Sequence, residues 1–354
     1  RRMYSESDLE SAVAAGVLSP QAVEALRTHV SAQRATSMVD EEDFRLLSGF
    51  NDIFVAIAGV LLLVGGGWLG GEIHPAVGAA TVAGLSWGLA EYFTRQRRMA
   101  LPSIVFLLSF VGGVFGALVS AILGDGGLEA GDSATAAITA GCAALAGGAA
   151  WLHWRRFQVP ITIAAGAVAL VGVSLSLLLA AVGDENMNRV IYAALFVLGL
   201  GVFALAMRWD MSDRARTTRR SDVAFWLHLL AAPMIAHSIF AMLGMLEGEP
   251  SVGKALVVVA LYVAMGLVAL AVDRRALLVS ALGYVIYAII ALFREFGAIS
   301  LNVALAAFVI GTALLMLSAF WHSVRQAVLV MLPKAIGEKL PPSLAVPVRA
   351  QPAS

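Results

Sequence analysis

Charge is the scarcest property of this 354-residue chain: Asp, Glu, Lys and Arg make up 14% of it, while apolar residues make up 60%. Soluble domains carry about 25% charged and about 45–50% apolar residues. A globule of this length still needs a polar surface, so the composition excludes a water-soluble enzyme and, equally, a disordered chain. The 24 basic and 24 acidic residues cancel, which leaves no net basic field to attract nucleic acid. Cys142 is the sole cysteine, excluding an internal disulfide framework and a cysteine-based zinc site. There is no GxxxxGK[ST] phosphate loop, no HExxH and no plausible GxSxG elbow. No acidic cluster of the lipid-phosphotransferase type lies in the short connections between the arginine-rich span ends, and no span holds a row of regularly spaced arginines. These absences leave no catalytic residue, cofactor or metal set to name.

Long apolar stretches are what the chain does have. Windows of about 20 residues, the length that crosses a roughly 30 Å hydrocarbon layer, recur from Phe50 onward. They fall near 50–71, 74–94, 101–123, 134–153, 160–182, 188–208, 223–245, 253–272, 276–293 and 301–322. A backbone in lipid must satisfy its own hydrogen bonds, so the pattern predicts an all-α polytopic transmembrane bundle of about ten spans over 50–322. Pro75, Pro102 and Pro160 stand at the first turns of the second, third and fifth windows, where a missing N–H removes no helical bond.

The connections set the orientation. With the N-terminus inside, the inner ones hold Arg95, Arg97, Arg98, Arg155, Arg156, Arg208, Arg214, Arg216, Arg219, Arg220, Arg274 and Arg275, while the outer ones hold only Arg189, Lys254 and Arg294. Short loops rich in Lys and Arg stay cytoplasmic, which predicts an inner-membrane protein with N- and C-termini inside. The acids Glu72, Asp125, Glu129, Asp132, Asp184, Glu185, Glu247, Glu249 and Glu295 segregate to the other side. Arginine pairs between apolar helices recur at 97–98, 155–156 and 274–275, with the basic loop 208–220 filling the gap at a period of roughly 58–60 residues. The repeating unit would be a two-helix hairpin with its corner in the cytoplasm.

Residues 1–49 read as a cytosolic helical hairpin followed by an acidic linker, Asp40-Glu41-Glu42-Asp43. Helices over 5–15 and 20–30 are separated by Gly16 as a C′ stop and by Ser19-Pro20 as an N-cap with proline at N1. Residues 323–354 read as an interfacial helix carrying Val324, Val328, Arg325 and Lys334, then an extended tail with Pro341, Pro342, Pro347 and Pro352. The run Ala14-Ala15-Gly16-Val17-Leu18-Ser19-Pro20-Gln21-Ala22-Val23, followed by paired spans, resembles the opening of uncharacterised bacterial multi-pass membrane proteins with an N-terminal cytosolic helical hairpin. The resemblance implies an inner-membrane location and no reaction.

Ionisable groups inside spans are functional candidates by default. Asp52 opens the first window and Glu91 closes the second. They would form either a carboxylate pair at the inner mouth of a cation path, or a first-turn dipole partner and an i,i+4 pair with Arg95. The seventh window holds His228, Pro233 and His237. Pro233 removes a backbone bond and predicts a kink near mid-bilayer, and Met234, His237, Ser238, Met242 and Met245 share one face. The readings are a hydrogen-bonded packing histidine, a gating or proton-handling group, or a soft Cu(I)-type stripe. Gly112 and Gly116 form a GxxxG step for close helix approach, and a homo-oligomer stays open.

Two functional classes fit these features. One is a transporter- or channel-like protein for a small solute or ion. The other is a non-enzymatic scaffold or accessory subunit whose partners are the lipid bilayer and a protein docked on residues 1–49. A lipid-modifying enzyme ranks below both.

Overall fold

In the computed structural model the described residues are 12–25, 50–124, 133–182, 187–214, 216, 218–244, 252–295, 302–337 and 340. The acidic run 40–43, Met245, the prolines after 340, and Asp125, Glu129, Asp132, Asp184, Glu185, Glu247 and Glu249 lie outside them. Contacts divide the chain into two units, Arg1–Phe44 with Leu344–Ser354, and Arg45–Ser343. In the first unit the described stretch turns at Gly16, whose φ is +72° and whose N–H reaches the Val13 carbonyl. Ser19 Oγ then accepts from the Ala22 N–H at 3.0 Å, the bond an N-cap serine makes to N3.

The second unit is all-helical among the described residues. It comprises α1 (Phe50–Gly71), α2 (Pro75–Leu89), α3 (Ala100–Leu123), α4 (Ser133–Phe157), α5 (Ile161–Ala181), α6 (Met187–Ser212), α7 (Arg219–Met242), α8 (Val252–Val272), α9 (Ala276–Glu295), α10 (Asn302–Ala319), α11 (Trp321–Met331) and α12 (Lys334–Gly337). Ten of these follow the ten apolar windows, but seven, α1 and α3 to α8, are long and apolar enough to cross a membrane. An eighth results if α10 and α11, bent by 75°, count as one span. Helix α2 falls short because α geometry holds for only 15 residues before it passes into the π-helical turn Ala90–Gln96.

Local chemistry starts several of these helices. Pro75 occupies the first turn of α2 and His74 caps it, with Nδ1 accepting from the Ala76 N–H at 3.1 Å. Pro160 sits one residue earlier than expected, as the N-cap of α5.

The exterior is oily where a soluble protein would be polar. On α1, Phe54, Ile57, Leu61, Val64 and Trp68 are all more than half exposed, so the apolar stripe with helical spacing points outward. Such a surface is stable only in an apolar solvent, and several apolar helices of this kind suit a membrane protein.

Helix α7 is the hub. Of its apolar window 56% is buried, against 17–28% for the other six spans. Its residues enter three of the four apolar clusters, packing against α5 and α6 through Leu227 and Ala231, and against α8 and α9 through Ala232, Ala236 and Phe240. The remaining cluster joins α1, the π-turn and α3 at Leu63, Ala90 and Phe106.

Close helix approach uses a different glycine from the one expected. A Cβ on Gly112 would meet nothing within 4 Å, whereas one on Gly113 would lie 2.9 Å from the Ala79 carbonyl and the Ala83 nitrogen of α2. Gly116 belongs to the same contact, 3.4 Å from the Ala79 Cβ. The step that matters is therefore Gly113 with Gly116, and it seats α3 on α2 within one chain.

Candidate functional site: a buried carboxylate, histidine and arginine cluster

Polar contacts gather the arginine corners at one end of the bundle. Arg156 at the end of α4 binds Glu91 of the π-turn, with Nε 2.7 Å from Oε1. Arg219 at the start of α7 donates to Gln158 Oε1 at 3.3 Å. Arg274, between α8 and α9, reaches back to Asp210 at the end of α6. Each corner also carries a left-handed residue: Arg98 (φ +52°), Gln158 (+51°), Arg216 (+54°) and Asp273 (+63°). Outside glycine such backbone is uncommon.

The deepest of these contacts forms the candidate site. Asp210, His228 and Arg274 are each at most 2% exposed. His228 Nε2 lies 2.8 Å from Asp210 Oδ2, and Arg274 Nε donates to the same oxygen at 3.3 Å. The Arg274 Nη2 donates to Asp210 Oδ1, and also to the Ser221 carbonyl at 3.2 Å and the Ser221 hydroxyl at 3.1 Å. His228 Nδ1 is buried without a hydrogen-bond partner, and Phe203 covers the ring edge-on at 5.2 Å. Burying a carboxylate and a guanidinium is favourable only when they are paired and their remaining donors satisfied. Here two buried polar side chains depend on one carboxylate.

A second carboxylate organises the next layer. Asp273 accepts from Trp321 Nε1 at 2.8 Å and from Arg216 Nη1 at 3.2 Å, and lies 3.4 Å from Arg325 Nε. Arg325 Nε also donates to the Leu270 carbonyl at 3.2 Å. Trp321 and Arg325 are thus buried face-in on α11, while Val330 and Met331 on the same helix stay more than four-fifths exposed. Thr218 caps α7 and donates to Asp213 Oδ2 at 2.6 Å. One cluster therefore ties the ends of α6, α7, α8, α9 and α11.

Of the sequence-derived candidates, only His228 joins it. Asp52 is buried on α1 and lines a pocket of about 490 Å³ with Asn51, Tyr92 and Arg97. Glu91 is bound by Arg156 at 2.7 Å and by Arg95 at 3.3 Å, the second being the i,i+4 pair expected from the sequence. His237 packs edge-on against Tyr192 at 5.8 Å, away from His228. Pro233 sits in an unbroken helix and is exposed, with Ala232 and Met234 buried on either side of it. On the Met face, Met234 is buried but Met242 is 44% exposed, and among the described residues no three His, Cys, Asp or Glu side chains converge to hold a metal.

Asp210, Ser221 and Asp273 escaped the sequence reading, which took Arg274 only as a mark of orientation. The available signal was the presence of Asp210, Asp213, Asp222 and Asp273 inside connections otherwise dominated by arginine. Family models, curated proteins and solved structures contain no match to this chain, so the cluster has to be interpreted from its own geometry.

Proposed function

We propose that the protein is a bacterial inner-membrane protein of ten spans with both termini in the cytoplasm, and that it conducts a small solute or ion. The observation that carries this reading is the Asp210–His228–Arg274 cluster, because ionisable groups buried inside a membrane bundle are expensive and mark pathways or relays. Asp210 and His228 both change charge by taking up a proton. While charged, Asp210 holds His228 and Arg274 together across α6, α7 and the α8–α9 corner. Protonation of Asp210 would release Arg274 and loosen that corner, with Arg216 and Asp273 as the adjoining pair. In this reading the cluster is the inner gate.

The orientation rests on the arginine corners that share one end of the bundle, since such loops remain cytoplasmic. Ten helices at the ten apolar windows support the span count. Left-handed corner residues at intervals of about 57–60 residues support a repeated two-helix hairpin.

The test uses the full chain in liposomes of phosphatidylethanolamine and phosphatidylglycerol, with dyes that read proton and potassium entry. Entry above protein-free vesicles, altered by His228→Gln in protein that stays monodisperse, is the expected result. Vesicles no leakier than protein-free ones, for parent and variant alike, refute conduction of these ions. External labelling of Arg97→Cys in intact cells refutes the orientation.

A scaffold or accessory-subunit role has one observation in its favour. Ala231, Ala232, Met234 and Ala236 fill the middle of α7 with apolar contacts, and Pro233 turns outward. Co-purification of a partner in mild detergent, abolished by deleting residues 1–45, would select that reading.

A further inference from the structure

Helices α4 and α5 pack through small residues and leave an exposed groove of about 550 Å³ between them, within the roughly 300–1,000 Å³ of small-molecule sites. Its walls include Gly148 and Trp151 of α4 and Gly166 and Leu170 of α5, and nearly all of its surface is apolar. From Ala144 to Trp154 it follows α4 for about 15 Å at 1.5 Å per residue, enough for most of an acyl chain.

One end differs. Thr162, in the first turn of α5, lines the groove there, is 2% exposed, and its hydroxyl has no hydrogen-bond partner. A buried hydroxyl left unpaired is costly, and in hydrocarbon there is no water to satisfy it. At the same end Arg155 lies over the Trp151 ring at 5.1 Å. Arg155 is exposed, and no carboxylate pairs with it among the described residues. Its neighbour Arg156 is instead occupied by Glu91.

We propose that this groove binds one anionic phospholipid of the surrounding bilayer. One acyl chain lies along the Gly/Ala floor, an ester carbonyl accepts from the Thr162 hydroxyl, and the phosphate rests on Arg155. Charge complementarity selects this occupant: the apolar helix of a second copy would offer no anion to the guanidinium and no acceptor to the hydroxyl. The inference is independent of any conducting role.

The test is native mass spectrometry of the full chain extracted in mild detergent from bilayers of phosphatidylglycerol and phosphatidylcholine in equal amounts. One phosphatidylglycerol per chain is expected to stay bound, favoured about tenfold over phosphatidylcholine, whose choline cation compensates its phosphate and is repelled by the Arg155 guanidinium. Gly166→Leu is the decisive variant. A Cβ there meets nothing within 4 Å, so the leucine fills the groove without disturbing the helix contact, and it favours the helix. Gly166→Leu should lose the bound lipid, and Arg155→Gln should lose the headgroup preference while a lipid remains. Unchanged lipid retention in Gly166→Leu overturns the site, and unchanged preference in Arg155→Gln overturns the phosphate assignment. A two-chain mass that Gly166→Leu reduces to one, with lipid unaffected, overturns the proposal in favour of self-association.

Discussion

Removing the Asp210 carboxylate should be among the most damaging single changes available in this protein. Asp210→Ala leaves Arg274 and His228, at 1% and 0% exposure, without the oxygens they share at 3.3 and 2.8 Å. Breaking a buried ion pair by deleting one partner typically costs about 3–5 kcal/mol. Arg274 retains the Ser221 carbonyl and hydroxyl, which offsets part of its loss but leaves its charge uncompensated. A decrease of about 3–4 kcal/mol follows, or two to three orders of magnitude in the folded-to-unfolded ratio. The double variant Asp210→Ala/Arg274→Met removes both charges and fills the guanidinium's stem space with apolar atoms. Substituting a buried pair by apolar residues is often neutral, so the double variant should lie closer to the parent than Asp210→Ala does. The coupling between the two sites should reach about 2–3 kcal/mol. Reversible SDS unfolding in mixed micelles, followed by circular dichroism for the parent, two singles and the double, measures the cycle. A cost below about 1 kcal/mol for Asp210→Ala, or strict additivity in the double, would refute the view that this carboxylate holds Arg274 and His228 in place.

Two further outcomes follow from helix packing. Gly113→Ala should destabilise by about 1–3 kcal/mol through overpacking against Ala79 and Ala83, whereas Gly112→Ala should be neutral or gain up to about 1 kcal/mol of helix propensity; the same unfolding assay separates them, and a reversed order would return the contact to Gly112. Pro233→Ala restores an N–H on an exposed face of an unbroken helix, so the unfolding midpoint should stay level or rise by up to about 3 kcal/mol in stability, and a lowered midpoint would mean the proline supports a packed contact.

The N-cap serine and the first-turn proline of α2 were legible because they are local. Ser19 reaches a residue three positions on and Pro75 sits inside the turn it starts, so spacing alone specifies them, whereas the His74 cap of α2 emerged only from the structure. The pairing of Glu91 with Arg95 was legible for the same reason, but the stronger partner, Arg156, lies 65 residues away. No local pattern announces that distance.

What the sequence determined by itself was the solvent and the secondary structure. A chain that is 60% apolar and 14% charged must turn oil-facing surface outward, and a backbone in oil must close its hydrogen bonds within helices. Arginines at regular corners marked one end in advance. Which helix faces meet was decided only in three dimensions. These spans are apolar nearly all round, so periodicity carries little information on which side is buried. Asp210 and Arg274 are 64 residues apart, and they pair because α6, α7 and the α8–α9 corner pack at one point. The same packing chose Gly113 over Gly112, turned Pro233 outward and set His228 against a carboxylate, since side-chain contact depends on the rotation of each helix about its own axis.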